Sequence, residues 1–278
     1  MLHVTATSHR KFLRANAGQQ KLFVMLKLLP SPEAAQVRPE VSLALIVDTS
    51  GSMREPAPGA DVQVVPMDPV MVDGKTYTGT FEGSTKLDVA QEAARRLVNS
   101  SSLGPSDTVT LIQFDDDSSV VAQGQPGHDR TALLEGIDRL TQHSGGTQMG
   151  KGLRNAVDVL RQQESASRRV LLLTDGLAVD EQDCRAAAGA LAELQAPIVA
   201  LGVGEEYNED LLTEICSTSL GRPYDLRDMT TLPQVFESEL GSTANQVVSD
   251  VRLTLRTVRD VRLVSAMRAY PSLSDVDT

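Results

Sequence analysis

The chain has 278 residues, 41% of them apolar but only 3% aromatic, with no Trp. This length suits one large domain or a domain with an accessory part, and the core has to be filled by Val, Leu, Ile and Ala. With 37 acidic against 26 basic side chains the formal charge is -11. That argues against nucleic acid or an anionic membrane as partner and leaves a cation or a basic protein surface.

In chain order, the opening MLHVTATSHRKFLRAN holds no apolar run of a secretory signal, and no later segment has the roughly eighteen uninterrupted apolar residues of a membrane helix. A cytoplasmic protein is expected. Residues 20–30, QKLFVMLKLLP, alternate like a half-buried strand. VSLALIVD at 41–48 is a short apolar run ending in Asp48, as RVLLLTD at 169–175 ends in Asp175, and APIVALGVG at 196–204 closes on glycine. Such runs suit strands buried on both faces of a parallel sheet. Residues 54–83 hold Pro56, Pro58, Pro66 and Pro69, then Gly74, Gly79 and Gly83. They read as an irregular insertion with a hairpin turning at Asp73-Gly74. Ser84 is the expected N-cap of a helix whose Leu87, Ala90, Ala94, Leu97 and Val98 form one stripe. DTVTLIQF at 107–114 and SSVVAQ at 118–123 predict a hairpin.

Helices are predicted over 129–141, 148–163, 180–195, 207–217 and 231–248, and a further strand pattern runs through 250–271. Cys184 and Cys216 are too few for a disulfide framework and are expected as reduced thiols on or near helices. Strands alternating with helices give an α/β fold, a doubly wound, mostly parallel sheet flanked by helices. The strand patterns at the two ends predict a small β-sheet or sandwich beside it. The expected domains are therefore 1–37 as accessory strands, 38–248 as the α/β domain and 249–278 as further accessory strands. Because the chain stops in SLSDVDT, just after a strand pattern, it is expected to be a fragment of a longer protein.

Three short pieces carry the chemistry. In DTSGSM, Asp48 ends a buried strand, and Gly51 is expected to let the chain turn tightly so that Ser50 and Ser52 aim hydroxyls at one point. In SGGTQMG, Gly145 and Gly146 release Thr147 into a loop before a helix, and in TDG, Asp175 ends the second buried strand. In a doubly wound sheet, loops at the strand carboxyl ends meet where the winding reverses. If the two aspartate-bearing strands are neighbours, all three pieces converge there. Carboxylates with neutral hydroxyls are a hard, all-oxygen donor set suited to Mg²⁺ or Mn²⁺.

These pieces, in this order, resemble the metal-ion-dependent adhesion site of the von Willebrand factor A family, and the likeness spans roughly residues 38–248. The resemblance implies a Rossmann-like fold and a metal held by Asp48, Ser50, Ser52, Thr147 and Asp175. There the hydroxyls bind directly and the aspartates bind directly or through water, around Mg²⁺, Mn²⁺ or Ca²⁺. It further implies a non-enzymatic protein-binding module of bacterial, cytoplasmic type, completed by a Glu or Asp from a partner protein. AAA+ ATPase or kinase and phosphatase partners are implied by resemblance alone. This chain departs from the pattern in the thirty residues between DTSGSM and STKLDVAQEA, where many relatives start the helix almost at once.

The alternative is a metal-dependent hydrolase using the ion to activate water, which needs a positioned general base. His143, four residues before Thr147, is expected to be a bystander. Asp115, Asp116 and Asp117 are expected as a solvated hairpin turn rather than a second cation site. His3, His9 and His128 show no zinc-ligand spacing, and GVGEE at 202–206 lacks the Gly-Lys-Ser/Thr ending of a phosphate loop.

Overall fold

The computed structural model describes residues 2–15, 18–31, 39–61, 63–72, 75–164, 167–244, 253–269 and 274–275. The chain divides into two units, residues 1–247 and 248–278. The first opens with β1 (Leu2–Ser8) and β2 (Val24–Pro30), which pair with each other antiparallel. The apolar side chains of β2 stay largely in solvent, Val24, Met25, Leu28 and Leu29 among them, so its alternation does not mark one buried face.

Six strands follow in one sheet: β3 (Val41–Asp48), β6 (Thr108–Phe114), β7 (Ser118–Gly124), β8 (Ser167–Thr174), β9 (Ile198–Val203) and β10 (Arg222–Leu226), in the spatial order β10-β9-β8-β3-β6-β7. Only β7 runs antiparallel to its neighbour. The helices are α1 (Lys86–Val98), α2 (Arg130–Arg139), α3 (Met149–Arg161), α4 (Glu181–Glu193), α5 (Glu209–Thr218) and α6 (Leu232–Ala244). One face of the sheet packs Leu43, Leu45, Leu171 and Leu201 with residues of α1, α2 and α6, such as Leu97, Leu133 and Phe236. The other packs Ala44, Ile46, Leu172 and Ala200 with α3, α4 and α5 through Leu153, Leu191 and Ile215. Successive strand residues point to opposite faces. A strand covered on both sides therefore needs apolar residues at every position, which is why the runs at 41–47 and 170–173 show no alternation.

From β3 the chain crosses over α1 to β6; from β8 it crosses over α4, on the opposite face, to β9. β3 and β8 are thus hydrogen-bonded neighbours from which the chain departs to opposite sides, with Val47 in register with Leu173. That is the winding reversal, and it brings Asp48 and Asp175 to one edge.

Several local expectations are corrected. The N-cap of α1 is Thr85, not Ser84, and Thr85 forms a reciprocal capping box with Asp88. Ser84 instead accepts from the Ala57 amide at 3.0 Å, while the Lys86 amide donates to the Glu55 carbonyl at 3.0 Å, so Glu55–Ala57 and Ser84–Lys86 close a neck. Beyond it, β4 (Gln63–Val72) and β5 (Lys75–Glu82) form the expected hairpin, with a register shift between Pro66 and Val70. The Asp73-Gly74 turn lies outside the described residues. The edge strand β10 had no sequence signal, because Arg222-Pro223-Tyr224-Asp225 is polar and proline-bearing.

In the second unit, residues 253–266 contain no strand, and β11 (Met267–Arg268) pairs antiparallel with β12 (Ser274–Asp275). Among the described residues, apolar alternation there has no ladder partner, and Leu253, Leu255, Val258 and Val264 are exposed. β1 and β2 form one small two-stranded antiparallel sheet, and β11 and β12 form another.

Candidate metal centre

Three loops meet at the carboxyl edge of β3 and β8, laced together by main-chain bonds. The Gly51 amide donates to the Gly145 carbonyl at 3.1 Å, and the Val179 amide to the Thr147 carbonyl at 3.2 Å. The Gln148 amide reaches the Asp115 carbonyl at 2.8 Å, anchoring the middle loop to the end of β6. Arg54 donates to the carbonyls of Thr141 and His143, so His143 serves the site through its main chain.

The turn after β3 is a 3-10 turn, Gly51–Arg54, and Gly51 has neither a left-handed φ nor any atom a Cβ would meet. Its expected steric role is therefore absent. Close approach favours glycine instead at 145 and 176. A Cβ on Gly145 would stand 2.7 Å from Asp116 Oδ2, and one on Gly176 would stand 3.0 Å from the Thr147 hydroxyl. The Asp115–Asp117 turn thus packs against the glycine loop, with Asp115 buried and its carboxylate accepting from the Asp117 amide.

Of the predicted residues, Asp48 is fully buried, and its carboxylate accepts from the Ser50 amide at 2.9 Å and the Thr174 hydroxyl at 2.6 Å. The Ser50 and Ser52 hydroxyls are 3.1 Å apart, and Ser52 donates to Asp175 Oδ1 at 2.8 Å. Thr147 faces Gly176, directly beside Asp175. Burial pushes the Asp48 carboxyl up to about 7, against the Ser50 and Thr174 hydrogen bonds that lower it, and the charge of Asp175 adds to the rise.

Sequence reasoning missed Lys86, Glu55 and Thr174. The Lys86 ammonium donates to Asp175 Oδ2 at 2.7 Å and to Glu55 Oε2 at 3.1 Å. Burial works against this charge, but the bonds and charges of Asp175 and Glu55 outweigh it and hold Lys86 above its ordinary value. Nothing in STKLDVAQEA marks the lysine, since its partner is 89 residues away.

Among the described residues, no three His, Cys, Asp or Glu side chains cluster as metal ligands. The donors here are two carboxylates and three hydroxyls, a set that fits a hard dication rather than one seeking nitrogen or sulfur. Cys184 and Cys216 are free and buried on α4 and α5, and burial raises both thiols. Among the described residues, no helix is long and apolar enough to cross a membrane.

Comparison with known proteins agrees with this architecture. The profile of the von Willebrand factor type A domain matches residues 42–238. The uncharacterized protein sll0103 of Synechocystis is 26% identical over 148 residues, covering 52% of this chain and 34% of that protein. A von Willebrand factor type A structure from Catenulispora acidiphila superposes with a TM-score of 0.64 at 22% identity, over 87% of this chain and 50% of that one. Proximal thread matrix protein 1 of the mussel byssus, solved with a zinc-occupied MIDAS motif, gives 0.56 at 19% identity, over 74% and 46%. The VWA2 paralog of ArnB from Sulfolobus acidocaldarius gives 0.54 at 17% identity, over 84% and 53%. The chain thus spans about a third of the curated relative and about half of each of these structures.

Proposed function

Since this chain belongs to the von Willebrand factor type A domain family, we propose that it is a divalent-cation-dependent binding module that captures a partner protein through a Glu or Asp side chain. The observation that carries this reading is the convergence of Asp48, Ser50, Ser52, Thr147 and Asp175 at the β3–β8 edge, with the Ser50, Ser52 and Asp175 oxygens within 3.1 Å of their neighbours. These five residues would hold the ion, and Mg²⁺, Mn²⁺ and Ca²⁺ all suit their oxygens. The bound ion supplies a Lewis acid that attracts a carboxylate. The chain's own part is to keep the donors few in charge and to orient them at the carboxyl edge of β3 and β8. Leu177 and Val179, 62% and 76% exposed beside Asp175, offer apolar surface for protein around the captured carboxylate.

The same reading makes the chain a binder and not a catalyst. Asp48 and Asp175 are committed to Ser50, Thr174, Ser52 and Lys86, while Glu55 is ion-paired with Lys86. A cytoplasmic bacterial setting, with an AAA+ ATPase or a kinase or phosphatase nearby, rests on family resemblance. The test is capture of native partners on immobilised chain. Retention is expected in Mg²⁺ and lost in EDTA, with Thr147→Ala, and when excess glutamate-bearing peptide competes. Equal retention with and without EDTA sinks the reading.

A further inference from the structure

A cation of the protein's own already stands at this site. Lys86 Nζ lies 2.7 Å from Asp175 Oδ2, with the Lys86 side chain 11% exposed and that of Asp175 not exposed at all. The ammonium is also held by Glu55, at 3.1 Å and 39% exposed. Its main chain is pinned by the bond from the Lys86 amide to the Glu55 carbonyl in the neck of the insertion, directly after the Thr85 N-cap. Exposed ion pairs are weak, but a pair with one buried member is costly to break from one side, because the other charge is left unpaired. Lys86 is therefore placed to stay.

The consequence falls on Asp175. One of its oxygens accepts from Ser52, whose hydroxyl can turn its hydrogen elsewhere and still offer a lone pair. The other is held by a full positive charge that, unlike a hydroxyl, cannot turn a lone pair towards an ion, so it opposes a dication at either oxygen of the carboxylate. Resting on the metal-site reading above, we propose that Lys86 is a positioning residue that holds Asp175 out of direct coordination. The site then binds its dication mainly through hydroxyls, and the ion keeps its attraction for an arriving carboxylate. Glu55 sets how firmly Lys86 is held, which ties the metal site to the neck of the β4–β5 arm.

The test uses the full chain with Mn²⁺ as probe. Titration calorimetry gives affinity, and water-proton relaxation counts the fast-exchanging waters on the bound ion. Lys86→Met is expected to bind Mn²⁺ about tenfold tighter, the scale of one partly buried unit charge removed from a few ångströms away, and to show one water fewer, because Asp175 enters the shell. Lys86→Arg, which keeps charge and donors, restores the wild-type affinity and count. Unchanged or weaker affinity in Lys86→Met overturns the inference, and so does tightening with an unchanged water count, which would reduce Lys86 to background charge. Circular dichroism in EDTA verifies folding, and Lys86→Gln carries the same measurements if Lys86→Met does not fold. Wild-type uptake that is lost in Asp48→Ala but unaltered by Lys86→Met would sink this inference alone. No uptake by the wild type would sink the metal-site reading and this inference with it.

Discussion

At position 48 burial and ionisation are opposed. The carboxylate is withdrawn from water at the end of β3, and its carboxyl stands at about 7 against an ordinary 3.8. Between those two values the folded chain holds a proton that the unfolded chain has released, so stability falls as pH rises through this window. The sign is that of a raised folded-state group: the contribution is complete below about 4 and lost above about 7. A bound dication would take the place of that proton. In EDTA, Asp48→Asn should therefore match wild type near pH 4 and exceed it at pH 8, by up to about 4 kcal/mol for a shift of this size. Urea unfolding at the two pH values measures the difference, and equal stability at pH 8 would show that the Ser50 and Thr174 bonds already offset the burial. The cysteines make a contrast at the same scale. Burial raises their thiols far from ionisation, so they pack as small apolar groups.

Among the elements, α1 links stability to the site. Its first turn carries the Thr85–Asp88 capping box, its buried stripe includes Leu87, Ala90, Ala94 and Leu97, and its first residue is Lys86. Removing the cap with Thr85→Ala should cost about 1 kcal/mol, the usual worth of an N-cap side chain. Because the fraying turn bears Lys86, the same variant should also alter Mn²⁺ affinity, whereas loss of a cap on a helix remote from the site would change stability alone. Chemical denaturation and calorimetry on one sample separate the two effects. The β4–β5 arm occupies the stretch between DTSGSM and α1. It is inserted between two ligand-bearing parts of the motif without breaking them, because its ends are stitched at Glu55–Ala57 and Ser84–Lys86. A long insertion whose ends lie side by side adds little closure entropy to the fold.

At the scale of the whole molecule, three loops from distant parts of the chain depend on one crevice, so an ion bound there belongs to the folded state alone. Mass action then raises stability, by about 2.7 kcal/mol at a hundredfold excess over the dissociation constant. Thermal melting should rise with Mg²⁺ or Mn²⁺ in wild type and stay flat in Ser52→Ala, and a rise in both would place the stabilising ion elsewhere. The net charge of -11 has a further effect: a partner that presents an acidic side chain must itself be basic around it, or meet long-range repulsion.

What the sequence by itself determined was the α/β alternation, the strands buried on both faces, and the three motif pieces. Each is local: a run of Val, Ile and Leu with no alternation, a stripe at helical spacing, or a ligand a few residues from a glycine. The meeting of Asp48 with Asp175 was legible only on condition that β3 and β8 were neighbours, and the sheet order supplied that condition. The tertiary structure alone decided the rest. It placed the polar edge strand β10, left the alternating residues 253–266 without a ladder among the described residues, brought Asp116 close against glycine at 145, and brought Lys86 onto Asp175. The physical reason is common to all four. Each depends on which distant groups the fold brings within hydrogen-bonding or packing range, and no spacing along the chain encodes that distance.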